Sequence, residues 1–173
     1  MQQPHLEIAQ VAYHVPNIEK AAEHMNAIFG AGPFFILRNI ELARGTHRGQ
    51  DCPFVHSSAY GQWGNVMLEL VQQESGGASP FRDLFEAHQT GLHHVAVMVP
   101  DLSQAYRQFA AQGIAVATEA TTLGGTDFAF LDAIARSGHF IEVYESSALL
   151  VGFYQKVRDA AVGWSGEAPV REL

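Results

Sequence analysis

Residues 10–22, QVAYHVPNIEKAA, align without a gap to residues 94–106, HVAVMVPDLSQAY. Val11, Ala12, Val15, Pro16 and Ala21 are matched by Val95, Ala96, Val99, Pro100 and Ala105. Each copy reads as a short strand, a turn at proline, and a helix opened by a capping side chain, Asn17 in one and Asp101 in the other. Such self-similarity means that one supersecondary unit is used twice.

Working outward, the ends of the halves also match: MLELVQ around Glu69 resembles FIEVYE around Glu142, each an apolar strand with one carboxylate at its centre. Between start and end, FFILRNI and FVHSSAYG in the first half, and IAVATEA and DFAFLDA in the second, read as further strands. The expectation is an α+β fold of two βαβββ modules, residues 6–73 and 92–146, forming a curved mixed sheet. Residues 74–91 read as a linker in which Phe81, Leu84 and Phe85 predict a short helix. Residues 147–173 comprise a terminal helix, LLVGFYQKVRDAAV, and a tail, GWSGEAPVREL, that reads as poorly ordered.

With 173 residues, 47% of them hydrophobic, the chain suits one folded unit and excludes wholesale disorder. No apolar run approaches the roughly 18 residues of a membrane span. The start, MQQPHLEIAQ, lacks the basic and apolar regions of a secretory leader. These features predict a soluble, cytoplasmic protein. A net charge of −8 argues against a nucleic-acid partner, which needs a basic face. The cations of RNIELARGTHRG (Arg38, Arg44, His47 and Arg48) read as a solvated loop, the alternative being a contact to an anionic group of a small ligand. Cys52, the single cysteine, excludes a thiolate cage and reads as a bystander.

Strand alternation puts Gln10, Ala12 and His14 on one face and His94, Ala96 and Met98 on the equivalent face of the second copy. Met67, Glu69 and Val71 go together, as do Phe140, Glu142 and Tyr144. If the modules pair their sheets, Gln10, Glu69, His94 and Glu142 converge. A buried carboxylate must protonate, pair or bind a metal. No Lys or Arg lies in these strands to pair with Glu69 or Glu142. A divalent cation would neutralise both, and the mixed N/O donor set suits Zn, Ni, Co, Mn or Fe(II). His93 faces the other way and reads as structural or as support behind His94. His14, one strand step beyond, His56, Tyr144 and Phe128 are further candidates for substrate contact; Tyr60 and Phe130 would line the cavity.

The paired modules and these four positions resemble the vicinal oxygen chelate superfamily, which includes glyoxalase I, methylmalonyl-CoA epimerase, extradiol dioxygenases and bleomycin-resistance proteins. The resemblance covers about residues 6–146. SPFRDLFEAHQTGLHHVAV is similar to the segment joining the modules of the epimerases, in which the second His of the pair is a metal ligand; this implies His94. The epimerases usually carry His at the position of Gln10 and Gln at that of Glu69. The set found here instead resembles glyoxalase I, with one Gln, one His and two Glu.

The resemblance implies a metal-dependent lyase, isomerase or epimerase acting through an enediolate on a small oxygenated substrate, in a homodimer. Glu142 is the first choice of base and Glu69 the second. The alternatives are a metal-free binding protein holding an apolar ligand in the same cup and, less favoured because Gln10 replaces a His, an extradiol-type dioxygenase.

Overall fold

Both helices of the repeat begin at the capping residues read from the sequence: Asn17 Oδ1 accepts the Lys20 N–H at 2.8 Å, and Asp101 Oδ1 accepts the Gln104 N–H at 2.6 Å. The computed structural model describes residues 5–173; the first four residues, part of the stretch read as lacking a leader, lie outside the described residues. The first half contains β1 (Ile8–His14), α1 (Ile18–Phe29), β2 (Phe34–Ile40), β3 (Leu42–His47), β4 (Gln50–Asp51), β5 (His56–Trp63) and β6 (Val66–Gln73). A single 3-10 turn, Pro80–Asp83, stands where the linker helix is expected. Then come β7 (Gly91–Val99), α2 (Leu102–Ala110), β8 (Val116–Thr122), β9 (Asp127–Leu131), α3 (Ile134–Ser137), β10 (Phe140–Glu145), α4 (Ala148–Ala161) and β11 (Val170–Glu172).

All these strands join one curved mixed sheet in the order β11-β2-β5-β6-β1-β7-β10-β9-β8-β3-β4. At its centre β1 runs parallel to β6, β7 runs parallel to β10, and β1 and β7 pair antiparallel, which brings the two modules together. The helices α1 and α2 cover the face of the sheet away from the cavity described below, where Ile18, Phe34, Leu68 and Leu70 pack in one half and Val97, Val99, Leu131 and Val143 in the other. Each fully buried side chain of this kind is worth about 1.5–3 kcal/mol in transfer from water. Aromatics, including Phe54, Phe81, Phe128, Phe130 and Phe140, cluster elsewhere and line or back the cavity described below.

Two segments depart from the sequence reading. The stretch read as a solvated loop is β3, which leaves the first half and pairs antiparallel with β8 of the second, Leu42 opposite Thr122 and Thr46 opposite Glu119. Residues 34–47 therefore edge one module and then the other. His47 is buried, its Nδ1 2.8 Å from Thr118 Oγ1 and its Nε2 3.1 Å from Asp83, while Arg48 bridges Asp83 and Asp132 at 2.8 Å each. The strand lacks apolar alternation because its order comes from a distant partner.

The tail expected to be poorly ordered supplies β11, which pairs parallel with β2, Val170 opposite Phe34. Phe34 N–H donates to Pro169 O at 2.7 Å, and the Trp164 ring packs so closely on Gly32 that a Cβ there would meet it at 3.0 Å. Small and polar residues gave no strand signal; the open edge of β2 supplies the template. The terminal helix α4 follows its amphipathic pattern, packing Tyr154 and Val157 against Phe35 and Met67.

Candidate functional site

The strand register builds the site. Ala12 is the partner of Glu69 on β6 and, on its other side, of His94 on β7; Ala96 is the partner of Gln10 on β1 and of Glu142 on β10. The rows Glu69-Ala12-His94-Phe140 and Glu142-Ala96-Gln10-Met67 are thus related by an approximate two-fold axis, which the repeat creates. Both alanines are fully buried. Their single methyl groups leave open the space over which the longer neighbours lean.

Into that space Glu69, His94 and Glu142 bring one donor atom each, all within 4.8 Å of one another. His94 Nε2 lies 2.9 Å from Glu142 Oε2 and 3.3 Å from Glu69 Oε2. Yet His94 Nε2 and Glu142 Oε2 lack a partner in hydrogen-bond geometry. The atoms are close without pointing along a bond to each other. Donors about 2.1 Å from a common cation would stand about 3.0–3.4 Å apart at right or tetrahedral angles, so the spacing and the donor chemistry fit a divalent ion. Gln10, also fully buried, lines the same cavity, its Oε1 3.4 Å from the Tyr144 hydroxyl and its Nε2 3.4 Å from Met67 sulfur.

His93 departs from the expected alternation. Between the pairs Ala12–His94 and Tyr13–Leu92 the register slips by one residue, leaving His93 as the extra residue of a β-bulge. Its ring turns onto that of its neighbour, with the two Nδ1 atoms 2.8 Å apart, while its Nε2 lies 3.1 Å from Pro80 O. A carbonyl can only accept, so His93 Nε2–H donates to Pro80 and His93 Nδ1 accepts from His94 Nδ1–H. In neutral His94 the free lone pair is then on Nε2, facing the glutamates. Burial, then the charge of His94, holds the His93 pKa well below its usual value.

The three central groups are electrostatically unequal. Burial opposes the charge of His94, but the negative charge of Glu142, followed by that of Glu69, raises its pKa to about 9. Burial pushes the Glu142 carboxyl up, only partly offset by His94. Burial also opposes the charge of Glu69, but here His94 prevails and holds it below the usual range. Environments that separate two carboxyls in this way separate their roles in proton transfer.

A cavity of about 610 Å³ opens over the cluster, within the range of small-molecule sites. Of the other sequence candidates, His56, Tyr60, Phe128, Phe130 and Tyr144 line it. Burial drives the His56 pKa down to about 4, and Tyr144 stays a neutral phenol, its pKa raised by burial and then by Glu142. His14 does not line the cavity. Its Nδ1 lies 2.9 Å from Gln89 O, its Nε2 3.2 Å from Arg82, and Phe85 stacks on its ring, so the linker occupies that end of the strand. Leu149, Leu150, Phe153 and Tyr154 of α4 also line the cavity. Helical amphipathicity marked that face as packing, and only the fold shows what it packs over.

The arrangement of two βαβββ units around one cup with a Glu-His-Glu cluster defines a class of protein. Residues 9–130 match the family described as the Glyoxalase/Bleomycin resistance protein/Dioxygenase superfamily. The chain belongs to this family, the vicinal oxygen chelate group that the repeat resembles. No curated protein matches it. Among solved structures the fold is similar to methylmalonyl-CoA epimerase from Mycobacterium tuberculosis, at 16% identity over 84% of this chain and 91% of that chain, with a TM-score of 0.56. It is similar to a hypothetical protein from Bacillus halodurans C-125, at 16% identity over 83% and 96% of the chains and a TM-score of 0.60. A Streptomyces coelicolor methylmalonyl-CoA epimerase variant in complex with 2-nitronate-propionyl-CoA gives 16% identity, 82% and 97% coverage and a TM-score of 0.54. No described helix is long and apolar enough to cross a membrane.

Proposed function

We propose that the chain is a metal-dependent lyase, isomerase or epimerase of the glyoxalase type, moving a proton at a carbon beside a carbonyl of a small oxygenated substrate. The observation that carries this reading is the convergence of Glu69, His94 and Glu142 at 2.9–3.3 Å without hydrogen-bond geometry between His94 and Glu142. With Gln10 these residues would hold the ion. A divalent cation of the Zn, Ni, Co, Mn or Fe(II) kind supplies Lewis-acid polarisation of adjacent substrate oxygens.

The protein's own groups do the rest. Glu142, whose buried carboxyl is the more basic of the two in the metal-free protein, would take the proton from the substrate carbon and return it to the same or the neighbouring carbon when released from the ion or held only at its edge, because a tightly coordinated carboxylate is a weak base; no external reductant or oxidant is needed. Glu69 stays ionised and balances charge. Tyr144 orients Gln10, His93 orients His94, and α4 screens the cup from water. The same reading takes the protein to be a homodimer, which sedimentation equilibrium tests.

Solvent deuterium exchange tests the chemistry. Zn, Ni, Co and Mn forms are incubated in deuterated water with short-chain and long-chain 2-hydroxy ketones, thiol adducts of 2-oxoaldehydes and acyl-CoA epimers. Metal-dependent exchange at the carbon beside the carbonyl is expected, reduced about 10²–10⁴-fold in Glu142→Gln. Exchange that persists unchanged in that variant, or no exchange with any metal form, overturns the reading.

A further inference from the structure

The cavity has a sharp division of chemistry. Around the Glu-His-Glu cluster it is polar; from there to the mouth it is walled by Phe54, Phe128 and Phe153 and rimmed by Leu37, Leu123 and Leu149. These three leucines are 43%, 67% and 74% exposed, so solvated apolar surface continues the apolar wall outward. Exposed apolar surface contiguous with a pocket marks a binding surface.

Charged groups are scarce along this path. Arg38 is the one Lys or Arg among the described residues lining the cavity, and its guanidinium is already held by Glu19 and Glu172, both at 2.7 Å. Glu41 adds a negative charge at the same rim. The remaining cations of that region, Arg44 and Arg48, are engaged by Asp127 and by Asp83 with Asp132. Phosphates of a CoA thioester or carboxylates of a glutathione conjugate would therefore meet leucine side chains, the neutral Asn39, Thr122 and Thr126, the Glu41 carboxylate and a guanidinium already shared by two carboxylates, with no free cation among the described residues there to receive them. Besides the central cluster, two polar atoms of cavity-lining residues are buried without a hydrogen-bond partner: His56 Nδ1 and the Tyr154 hydroxyl. Tyr154 is only 8% exposed. Such atoms are costly to leave unmatched, and both suit an uncharged oxygen or nitrogen of a ligand.

We infer that the substrate is an uncharged oxygenated compound with a long apolar body, its oxygens at the Glu-His-Glu end, a neutral polar group met by Tyr154 or His56, and its body running past Phe153 to the leucine rim. This assignment of substrate class rests on the metal-site reading for the oxygenated end and on the cavity wall alone for the apolar end, so the two are separable.

The test measures binding by calorimetry to the Zn-loaded and metal-stripped protein, using acetohydroxamic acid, decanohydroxamic acid, 1-decanol, 1,2-decanediol, S-hexylglutathione and propionyl-CoA. Decanohydroxamic acid is expected to bind the loaded protein at least roughly 100-fold more tightly than acetohydroxamic acid, as burial of most of the added methylenes requires. S-hexylglutathione and propionyl-CoA should bind more weakly than decanohydroxamic acid. The double variant Leu123→Lys, Leu149→Lys changes only exposed side chains; it should remove about tenfold or more of the gain from the chain while leaving acetohydroxamic acid unaffected. Tyr154→Phe should weaken 1,2-decanediol relative to 1-decanol by roughly 2- to 10-fold.

If metal fails to load but 1-decanol binds the stripped protein and the double variant weakens it, the apolar-body assignment is supported and the metal reading fails. A chain that adds no affinity over acetohydroxamic acid, or propionyl-CoA or S-hexylglutathione binding more tightly than decanohydroxamic acid, overturns the assignment even if metal loads.

Discussion

His93 and His94, successive residues of β7, meet ring to ring through their Nδ1 atoms at 2.8 Å, and His93 is anchored in turn on Pro80 O at 3.1 Å. A β-bulge makes this contact between sequence neighbours possible, and the contact fixes which nitrogen of His94 faces the glutamates. Ring partners of this kind hold a ligand histidine in one tautomer and orientation. Replacing His93 by Phe, which the surrounding Phe81, Phe130 and Phe140 rings accept in shape, is expected to weaken metal binding about 10–100-fold. Competition against a chelator measures it; an affinity equal to wild type contradicts the orienting role.

Ala12 and Ala96 make a second prediction. Each lies in register between two members of the site and is fully buried. Ala12→Val adds bulk at the point of convergence while retaining every polar side chain. Overpacking costs roughly 1–3 kcal/mol of stability, read as a lower thermal midpoint of the metal-free protein. The larger expected effect is loss of metal-induced stabilisation. Retention of the full metal-induced shift would show that the alanines do not define the space.

In the metal-free protein the His94 imidazolium, favoured by Glu142 and Glu69 against burial, has its pKa raised to about 9. The unfolded value is about 6.5. The folded pKa is the higher, so the stability contribution is complete below about pH 6.5 and is lost as the pH rises through about 9. NMR titration of the His94 ring should give the raised pKa, and Glu142→Gln should lower it. A metal must displace the same proton, so binding near pH 7.5 should release about one proton per ion. Calorimetry in buffers of different ionisation enthalpy detects the release, and binding heats independent of buffer contradict it.

The C-terminal strand gives a prediction about stability. Ending the chain at Glu167 removes β11, opens the edge of β2 and takes Glu172 from Arg38. The exposed ion pair contributes little by itself. Loss of strand pairing and of cover over Phe35, whose ring Arg171 overlies at 5.8 Å, should bring the total to about 1–3 kcal/mol. Urea denaturation checks this, and an unchanged midpoint would mark β11 as dispensable.

The sequence made legible what the repeat encodes: two strand-helix starts with their caps, two closing strands with central glutamates, and the expected convergence of Gln10, Glu69, His94 and Glu142, three of which the fold brings within reach of one point. What stayed hidden depends on partners distant in the chain. β3 carries no apolar alternation and is ordered by β8; β11 is ordered by the free edge of β2. His14 follows the right face of β1, but the linker residues Arg82, Phe85 and Gln89 reach it first. Alternation puts His93 on the far face because it assumes a regular ladder; the bulge turns its ring onto His94 instead, where it acts as the support behind that residue. Tyr154 lies in the terminal helix, whose amphipathic pattern marks a packing face but not the cup that this face covers.

The central claim is that Glu69, His94 and Glu142 hold a divalent ion, and titration of the metal-stripped protein with Zn or Co, followed by elemental analysis after gel filtration, tests it most directly. The account predicts one tightly held ion per chain, lost in His94→Ala and strongly reduced in Glu69→Gln and Glu142→Gln. An unmodified chain that retains no more metal than the His94→Ala variant contradicts it.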